Sequence, residues 1–121
     1  MNPTRSLILF AALNGALAVA LGAFAAHGAE PQLKTLLTTG THYQLVHAVF
    51  GFGCALWTGG GRLARVAGWL GVVGGLIFSL SLAALGVLSV PVIGAITPIG
   101  GVLMIAGWLC VAFAAFRSSS S

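Results

Sequence analysis

The sequence predicts an all-α fold: a polytopic membrane protein built as a four-transmembrane-helix bundle with short loops. Of its 121 residues, 59% are hydrophobic and only 5% are charged, whereas soluble domains carry about 25% charged residues. Four apolar runs approach the roughly 20 residues that a helix needs to cross a bilayer. The short stretches between them hold most of the charges. We therefore expect one four-helix transmembrane domain over residues 1–121, with spans at 6–26, 41–58, 66–88 and 93–116.

The first span follows MNPTR and ends in an AFA sequence, a pattern that also resembles a cleavable signal peptide. We expect it to remain as a helix, because it carries a stripe of small residues suited to helix packing. The segment HGAEPQLKTLLTTG comes before the second and shortest span. Its leucines, Leu33, Leu36 and Leu37, predict a short amphipathic segment that lies on the membrane surface.

Glycines and prolines mark the ends of the later spans. The triplet Gly59 to Gly61 ends the second span, and Pro91 ends or interrupts the third because it lacks a backbone donor. The sequence ITPIGG in the fourth span has two interpretations. It is either a break of the kind found in transporters, or a helix start where Thr97 caps and Pro98 occupies the first turn.

The charges predict the orientation. One face holds Arg5, Arg62, Arg65 and Arg117, while the other holds Lys34 offset by Glu30. Because cytoplasmic loops carry the excess of Lys and Arg, both termini should be cytoplasmic. The arginines form no patch that could follow a phosphate backbone, so we expect no nucleic-acid partner. The expected partners are the lipid bilayer and either a larger membrane complex or further copies of the chain.

Small residues recur at helical spacing in two spans. The first-span stripe is Ala11, Gly15, Ala18, Gly22 and Ala25, and the third-span stripe is Ala64, Gly68, Gly71, Gly75, Ser79, Ala83 and Gly86. Small residues let helix backbones approach closely in lipid. Both stripes should face partner helices, and facing each other is one arrangement. Gly71 and Gly75 in particular should lie at a helix–helix contact.

The polar residues suggest little reactive chemistry. His27, His42 and His47 could hold a metal or haem, but His42 and His47 are five residues apart, about 140° around a helix. The alternative is that these histidines bond backbone groups and hydroxyls at helix ends. The chain has no GxSxG, HExxH or Walker sequence. We expect no enzyme, no catalytic residue, no cofactor and no metal ligand, and two free thiols at Cys54 and Cys110.

Four sequence motifs occur in an order that is typical of a known family: GAFAAHG, TGTHYQLVHA, GLIFSLSLAAL and AITPIGGVLMIAGW. Together they resemble the YgdD-like family of small bacterial inner-membrane proteins, catalogued as a domain of unknown function with eukaryotic relatives. The resemblance covers almost the whole chain and implies a four-helix protein of the bacterial inner membrane. This chain departs from the family's F-S-G-S-L-Y pattern at Leu80 and Ala83.

The leading functional hypothesis is a non-catalytic accessory or assembly component of a larger membrane complex. The alternatives are a small transporter or channel and a haem- or quinone-binding bundle. The candidate functional or structural polar positions are His27, Tyr43, His47, Ser79, Ser81, Thr97 and Pro98. We expect His27 to bond the start of the second span or the turn at Thr97, which share its side of the membrane.

Overall fold

The computed structural model describes residues 2–118, and within this range every regular element is helical. The all-α prediction is therefore confirmed for the described chain. Four long helices follow one another, and two 3₁₀ turns lie in the connections. The helices are α1 (Pro3–His27), α2 (Pro31–Leu56), α3 (Gly61–Leu88) and α4 (Thr97–Arg117), and the turns are Thr58–Gly60 and Pro91–Ala95.

Helix α1 begins a few residues before the predicted first span. The Asn2 side chain accepts a hydrogen bond from the backbone nitrogen of Arg5 at 2.8 Å, and Pro3 occupies the first turn, where a missing donor costs nothing. The helix ends at His27, and the backbone nitrogen of Gly28 donates to the Phe24 carbonyl. A three-residue turn then leads directly into α2.

The predicted surface segment before the second span is wrong as a separate element. Residues 33–37 are the first turns of α2, which runs unbroken from Pro31. Leu37 is buried, and a β-carbon at Gly86 of α3 would meet the side chains of Leu33 and Leu36. The apolar side of this segment therefore packs against α3 instead of the membrane surface, and the second helix is ten residues longer at its start than the predicted span.

The two remaining connections depend on local backbone chemistry. Gly61 adopts a positive φ of 62°, which lets the chain turn from the 3₁₀ segment into α3. Ser89 ends α3 in the left-handed region, and Pro91 opens the next 3₁₀ turn. Helix α4 begins at Thr97 with Pro98 in its first turn, so the helix-start interpretation of ITPIGG is confirmed. The predicted capping by Thr97 is wrong, because its hydroxyl bonds Ser81 instead.

Helix α2 packs against both small-residue stripes. In α1, the β-carbon position of Gly15 lies 3.7 Å from the Ala48 β-carbon. In α3, a β-carbon at Gly71 would meet Phe50, and one at Gly75 would lie 3.2 Å from the His47 β-carbon. The predicted contacts of Gly71 and Gly75 are confirmed. The two stripes do not face each other, because α2 presents one side to each of them.

A second face of α3 binds α4 through equally close backbones. A β-carbon at Gly74 would approach the Gly100 carbonyl oxygen at 2.7 Å, and one at Gly107 would approach the Ala67 carbonyl oxygen at 2.9 Å. Only glycine permits this separation without a shift of one helix. Helix α3 is therefore held between α2 and α4, while α1 contacts mainly α2.

Three helical segments are long and apolar enough to cross a membrane: Pro3–His27, Thr58–Leu88 and Pro91–Arg117. Helix α2 is long enough at 26 residues, but it carries more polar side chains, and Thr41, Gln44 and His47 are buried between helices. Large apolar side chains cover the outside, including Val102, Leu109 and Phe116. An apolar exterior around a partly polar interior suits a protein surrounded by lipid.

Candidate functional site

Within residues 2–118, polar side chains form three hydrogen-bonded clusters that each join two helices, while the Ser79 hydroxyl has no partner. The first cluster joins α1 and α2. The Asn14 amide donates to the Phe10 carbonyl at 3.0 Å, and the Gln44 amide donates to Asn14 Oδ1 at 3.1 Å. Both residues are almost fully buried. Because their amides are enclosed, this bond joins the two helices at a position where water is excluded.

His47 forms the second cluster, which joins α2 to α4. Its Nδ1 lies 2.7 Å from the Tyr43 carbonyl oxygen, and Trp108 Nε1 lies 2.9 Å from its Nε2. An indole N–H only donates, so Nε2 accepts and the ring proton is on Nδ1, which donates to Tyr43. Both ring nitrogens of this neutral tautomer are thus occupied. No lone pair of His47 faces an open site, so its geometry favours a structural role over metal ligation.

The Trp108 side chain of α4 contacts the middle of α2. Its ring lies 4.2 Å from the Phe50 ring, centroid to centroid, and 6.0 Å from the His47 ring. The residue spacing within α4 does not reveal a partner on another helix. The sequence feature that pointed to Trp108 is the Gly-Trp pair in the fourth family motif.

The third cluster joins α3 and α4 near the start of α4. Ser81 Oγ donates to the Phe78 carbonyl at 3.0 Å, and Thr97 Oγ1 lies 2.7 Å from the same Ser81 oxygen. Because the single Ser81 proton is directed to Phe78, Thr97 donates to Ser81. The bond ties the first turn of α4, which contains Pro98, to the last third of α3.

Two buried polar atoms have no hydrogen-bond partner among residues 2–118: Gln44 Oε1 and Ser79 Oγ. Both side chains are 1% exposed. Ser79 packs directly against Gly40, whose β-carbon position lies 3.2 Å from the Ser79 oxygen. An unpaired hydroxyl at a helix contact raises the free energy of the folded state, because it was removed from water without replacement.

Tyr43 and His27 lie at the surface. Tyr43 is 45% exposed; its backbone carbonyl supports His47, and its ring edge contacts Phe78 at a centroid distance of 5.1 Å. His27 is exposed, and within the described chain its side chain makes no hydrogen bond to α2 or to the Thr97 turn. The predicted contact of His27 is therefore wrong, because α2 starts only four residues later and turns its polar groups inward.

The three histidines do not converge. His42 is exposed with its ring against Tyr43 at 5.5 Å, while His47 is enclosed one and a half turns further along α2. Across residues 2–118, no three His, Cys, Asp or Glu side chains come together in a group that could hold a metal ion. Cys54 and Cys110 are free thiols, as predicted.

One cavity lies away from these clusters, at the end where α2 begins and α3 ends. Its volume is about 510 Å³, and it is lined by Gln32, Thr35, Leu36, Leu85, Ser89 and Pro91. None of these side chains carries a charge or a reactive group. The cavity can accept an apolar group, and its amide and hydroxyls can bond a polar one, but it contains no constellation for catalysis.

Comparisons with known proteins agree with the family resemblance and with a membrane protein. A family profile described as "Protein of unknown function (DUF423)" matches residues 21–101. The chain is 39% identical over 120 residues to the UPF0382 membrane protein YwdK of Bacillus subtilis, covering 93% of this chain and 98% of that protein. It is 40% identical over 114 residues to a UPF0382 membrane protein of Haemophilus influenzae, covering 90% and 92%.

A third relative, a UPF0382 membrane protein of Staphylococcus epidermidis, is 40% identical over 118 residues and covers 93% of this chain and 97% of its own length. No solved structure matches the chain significantly. The similarity to several membrane proteins spans all four helices, and the residues of the YgdD-like motifs lie on those helices. The chain belongs to the DUF423 family, also named UPF0382, and is a small integral membrane protein.

Proposed function

We propose that the protein is a non-catalytic accessory or assembly component of the bacterial inner membrane. The observation that carries this proposal is the pair of bonds at His47. The only buried histidine uses one ring nitrogen on Tyr43 and the other on Trp108. The side chain best suited to bind a ligand or move a proton instead joins α2 to α4, which is what a structural subunit needs.

The proposed topology has four transmembrane helices and cytoplasmic termini. The contacts of α2 support its crossing, because they run from Leu33 beside Gly86 to Cys54 beside Gly68. A helix that packs antiparallel to its neighbours over that length would cross the bilayer beside them. The arginines support the orientation: Arg5, Arg62, Arg65 and Arg117 all lie near helix ends on one side of the bundle.

Copurification tests the accessory role. The tagged protein would be extracted in mild detergent from cells that express it at its native level, with an unrelated four-helix membrane protein as control. We expect a reproducible assembly that contains at least one other membrane protein and is absent from the control. Recovery of only monomer or homo-oligomer, with no specific companion, would contradict the proposal.

The alternative of a small transporter rests on one observation, the unpaired Gln44 Oε1 and Ser79 Oγ inside the bundle. Polar atoms left free in a membrane interior are expected along a path for water or ions. Flux through liposomes containing the purified protein tests this alternative. Flux that is lost in Ser79→Ala but kept in Ser81→Ala would support transport and would count against a purely structural role.

A further inference from the structure

A crevice in two adjoining parts runs along the outside of α1, and its inner part borders α2. Its outer part has a volume of about 410 Å³ and is lined by Arg5, Ile8, Leu9 and Ala12. Its inner part has a volume of about 210 Å³ and also includes Ala12. The inner lining residues are Ala11, Ala12, Gly15, Leu45, Ala48, Val49 and Phe52. Because Ala12 lines both parts, they adjoin there, and together they are here called the α1–α2 groove.

Small side chains keep this groove open. The β-carbon position of Gly15 lies 3.7 Å from the Ala48 β-carbon, so the two helices touch there without filling the space outside the contact. Leu45 and Phe52 stand at the side of the trough and remain 41% and 45% exposed. An apolar trough that opens toward the membrane is suited to a flexible hydrocarbon chain, which gains contacts with the protein as it leaves the bulk lipid.

Arg5 gives one end of the groove a positive charge, which favours a ligand with a negatively charged headgroup. Arg5 is exposed at the mouth, on the end of the bundle that also holds Arg62, Arg65 and Arg117. Glu30, the only acidic side chain of the chain, lies at the opposite end, in the turn between α1 and α2. The Arg5 guanidinium therefore has no carboxylate side chain within reach. A planar guanidinium in this setting binds a phosphate through paired hydrogen bonds.

The spacing along α1 fits a phospholipid. At 1.5 Å per residue, Ala12 and Gly15 lie about 10–15 Å further into the membrane than Arg5. A phosphate at Arg5 would therefore place an attached acyl chain beside these two residues. We propose that the α1–α2 groove binds one anionic phospholipid, with its phosphate on Arg5 and one acyl chain along Ala12 and Gly15. Free phosphate would occupy only the mouth and leave the apolar trough empty.

Native mass spectrometry of the intact protein, released from detergent after incubation with defined lipids, tests this site. The probes are phosphatidylglycerol and phosphatidylcholine with identical acyl chains. We expect the wild type to retain one phosphatidylglycerol and to retain phosphatidylcholine less. Arg5→Gln should reduce retained phosphatidylglycerol about fivefold, the factor that one basic residue contributes at an anionic membrane surface. Ala12→Leu should reduce retention of both lipids by obstructing the trough.

The matched controls lie on α4. Arg117→Gln removes a cation that stacks over Phe113, and Ala112→Leu enlarges an exposed alanine that lines none of the described crevices. Both should retain lipid like the wild type. Equal retention of the two lipids by the wild type, or equal losses in Arg5→Gln and Arg117→Gln, would overturn the proposal. So would displacement of the lipid by millimolar inorganic phosphate, since it would show that only the charge is recognised.

Discussion

At the residue scale, His47 illustrates how an ionisable side chain is accommodated in a membrane interior. The Tyr43 carbonyl one turn earlier fixes the proton on Nδ1, and Trp108 from α4 supplies the donor that Nε2 requires. A neutral imidazole with both nitrogens bonded avoids the cost of an unpaired polar atom in lipid. His42, five residues earlier and exposed, has no such partner among the described residues. The two histidines have the same side-chain chemistry, and their positions on α2 decide which one is buried and hydrogen-bonded.

A double-mutant cycle measures the His47–Trp108 bond. Trp108→Phe removes the donor and keeps an aromatic ring, and His47→Leu removes the acceptor. We expect a coupling free energy of about 1 kcal/mol, the usual size of a hydrogen bond between membrane helices. Reversible unfolding in mixed micelles gives the stabilities. His42→Leu is the control and should show no coupling to Trp108→Phe; additivity in the His47 cycle would contradict the bond.

Ser79 and Ser81 provide a matched comparison within one helix. Ser81 Oγ has two partners, whereas Ser79 Oγ has none in the described chain. Ser81→Ala should lower the free energy of unfolding by about 1 kcal/mol. Ser79→Ala should leave it unchanged or raise it, because the hydroxyl that it removes is buried without a bond. A loss in Ser79→Ala as large as that in Ser81→Ala would indicate that a water molecule or ligand bonds Ser79.

At the scale of helices, α3 forms its contacts with glycines on two faces. Gly71 and Gly75 meet side chains of α2, while Gly74 lies against the backbone of α4 at Gly100. Three neighbouring glycines thus serve two different interfaces. The spacing in the sequence predicted the face of α3 that meets a partner helix, but Gly74 and Gly100 belong to neither small-residue stripe. Their role follows only from the position of α4.

Gly75→Leu tests the α2–α3 contact. A leucine there would collide with the His47 β-carbon and the Gln44 backbone, so α2 and α3 must separate. We expect a loss of about 1–3 kcal/mol in the free energy of unfolding, typical of overpacked sites. Gly101→Leu is the control, because a β-carbon at Gly101 meets nothing within 4 Å. Equal stability of the two variants would place Gly75 outside the contact.

At the scale of the whole molecule, the bundle has a marked charge asymmetry. The ends of α1, α3 and α4 that carry arginines lie on one side. The turn with Glu30 and the first turn of α2 with Lys34 lie on the other. Both the proposed orientation and the proposed lipid site depend on this asymmetry, since anionic headgroups are attracted to the arginine side. The apolar exterior between the two ends matches the hydrocarbon layer.

Reporter fusions test the orientation. A cytoplasmic reporter such as green fluorescent protein should fluoresce when fused after Arg117 or inserted beside Arg62, whereas alkaline phosphatase should be active when inserted after Gly28. Replacing Arg62 and Arg65 by Gln would weaken the bias and should yield a mixed orientation. Phosphatase activity at Arg62 or at the C-terminus of the unaltered chain would contradict the proposed topology. Phosphatase activity at both Gly28 and Arg62 would contradict a crossing by α2, because these two positions flank that helix.

The sequence by itself determined the fold class and the approximate position of each helix, because hydrophobic length and helix-breaking residues act locally. It also located the α3 face that meets a partner, since glycines at helical spacing permit close approach wherever the partner lies. It did not determine which helix that partner is. Three outcomes depended on tertiary structure: α2 extends back to Pro31, His27 stays at the surface, and Trp108 reaches His47. Each depends on residues that are distant in sequence, and no local pattern records which of them will meet.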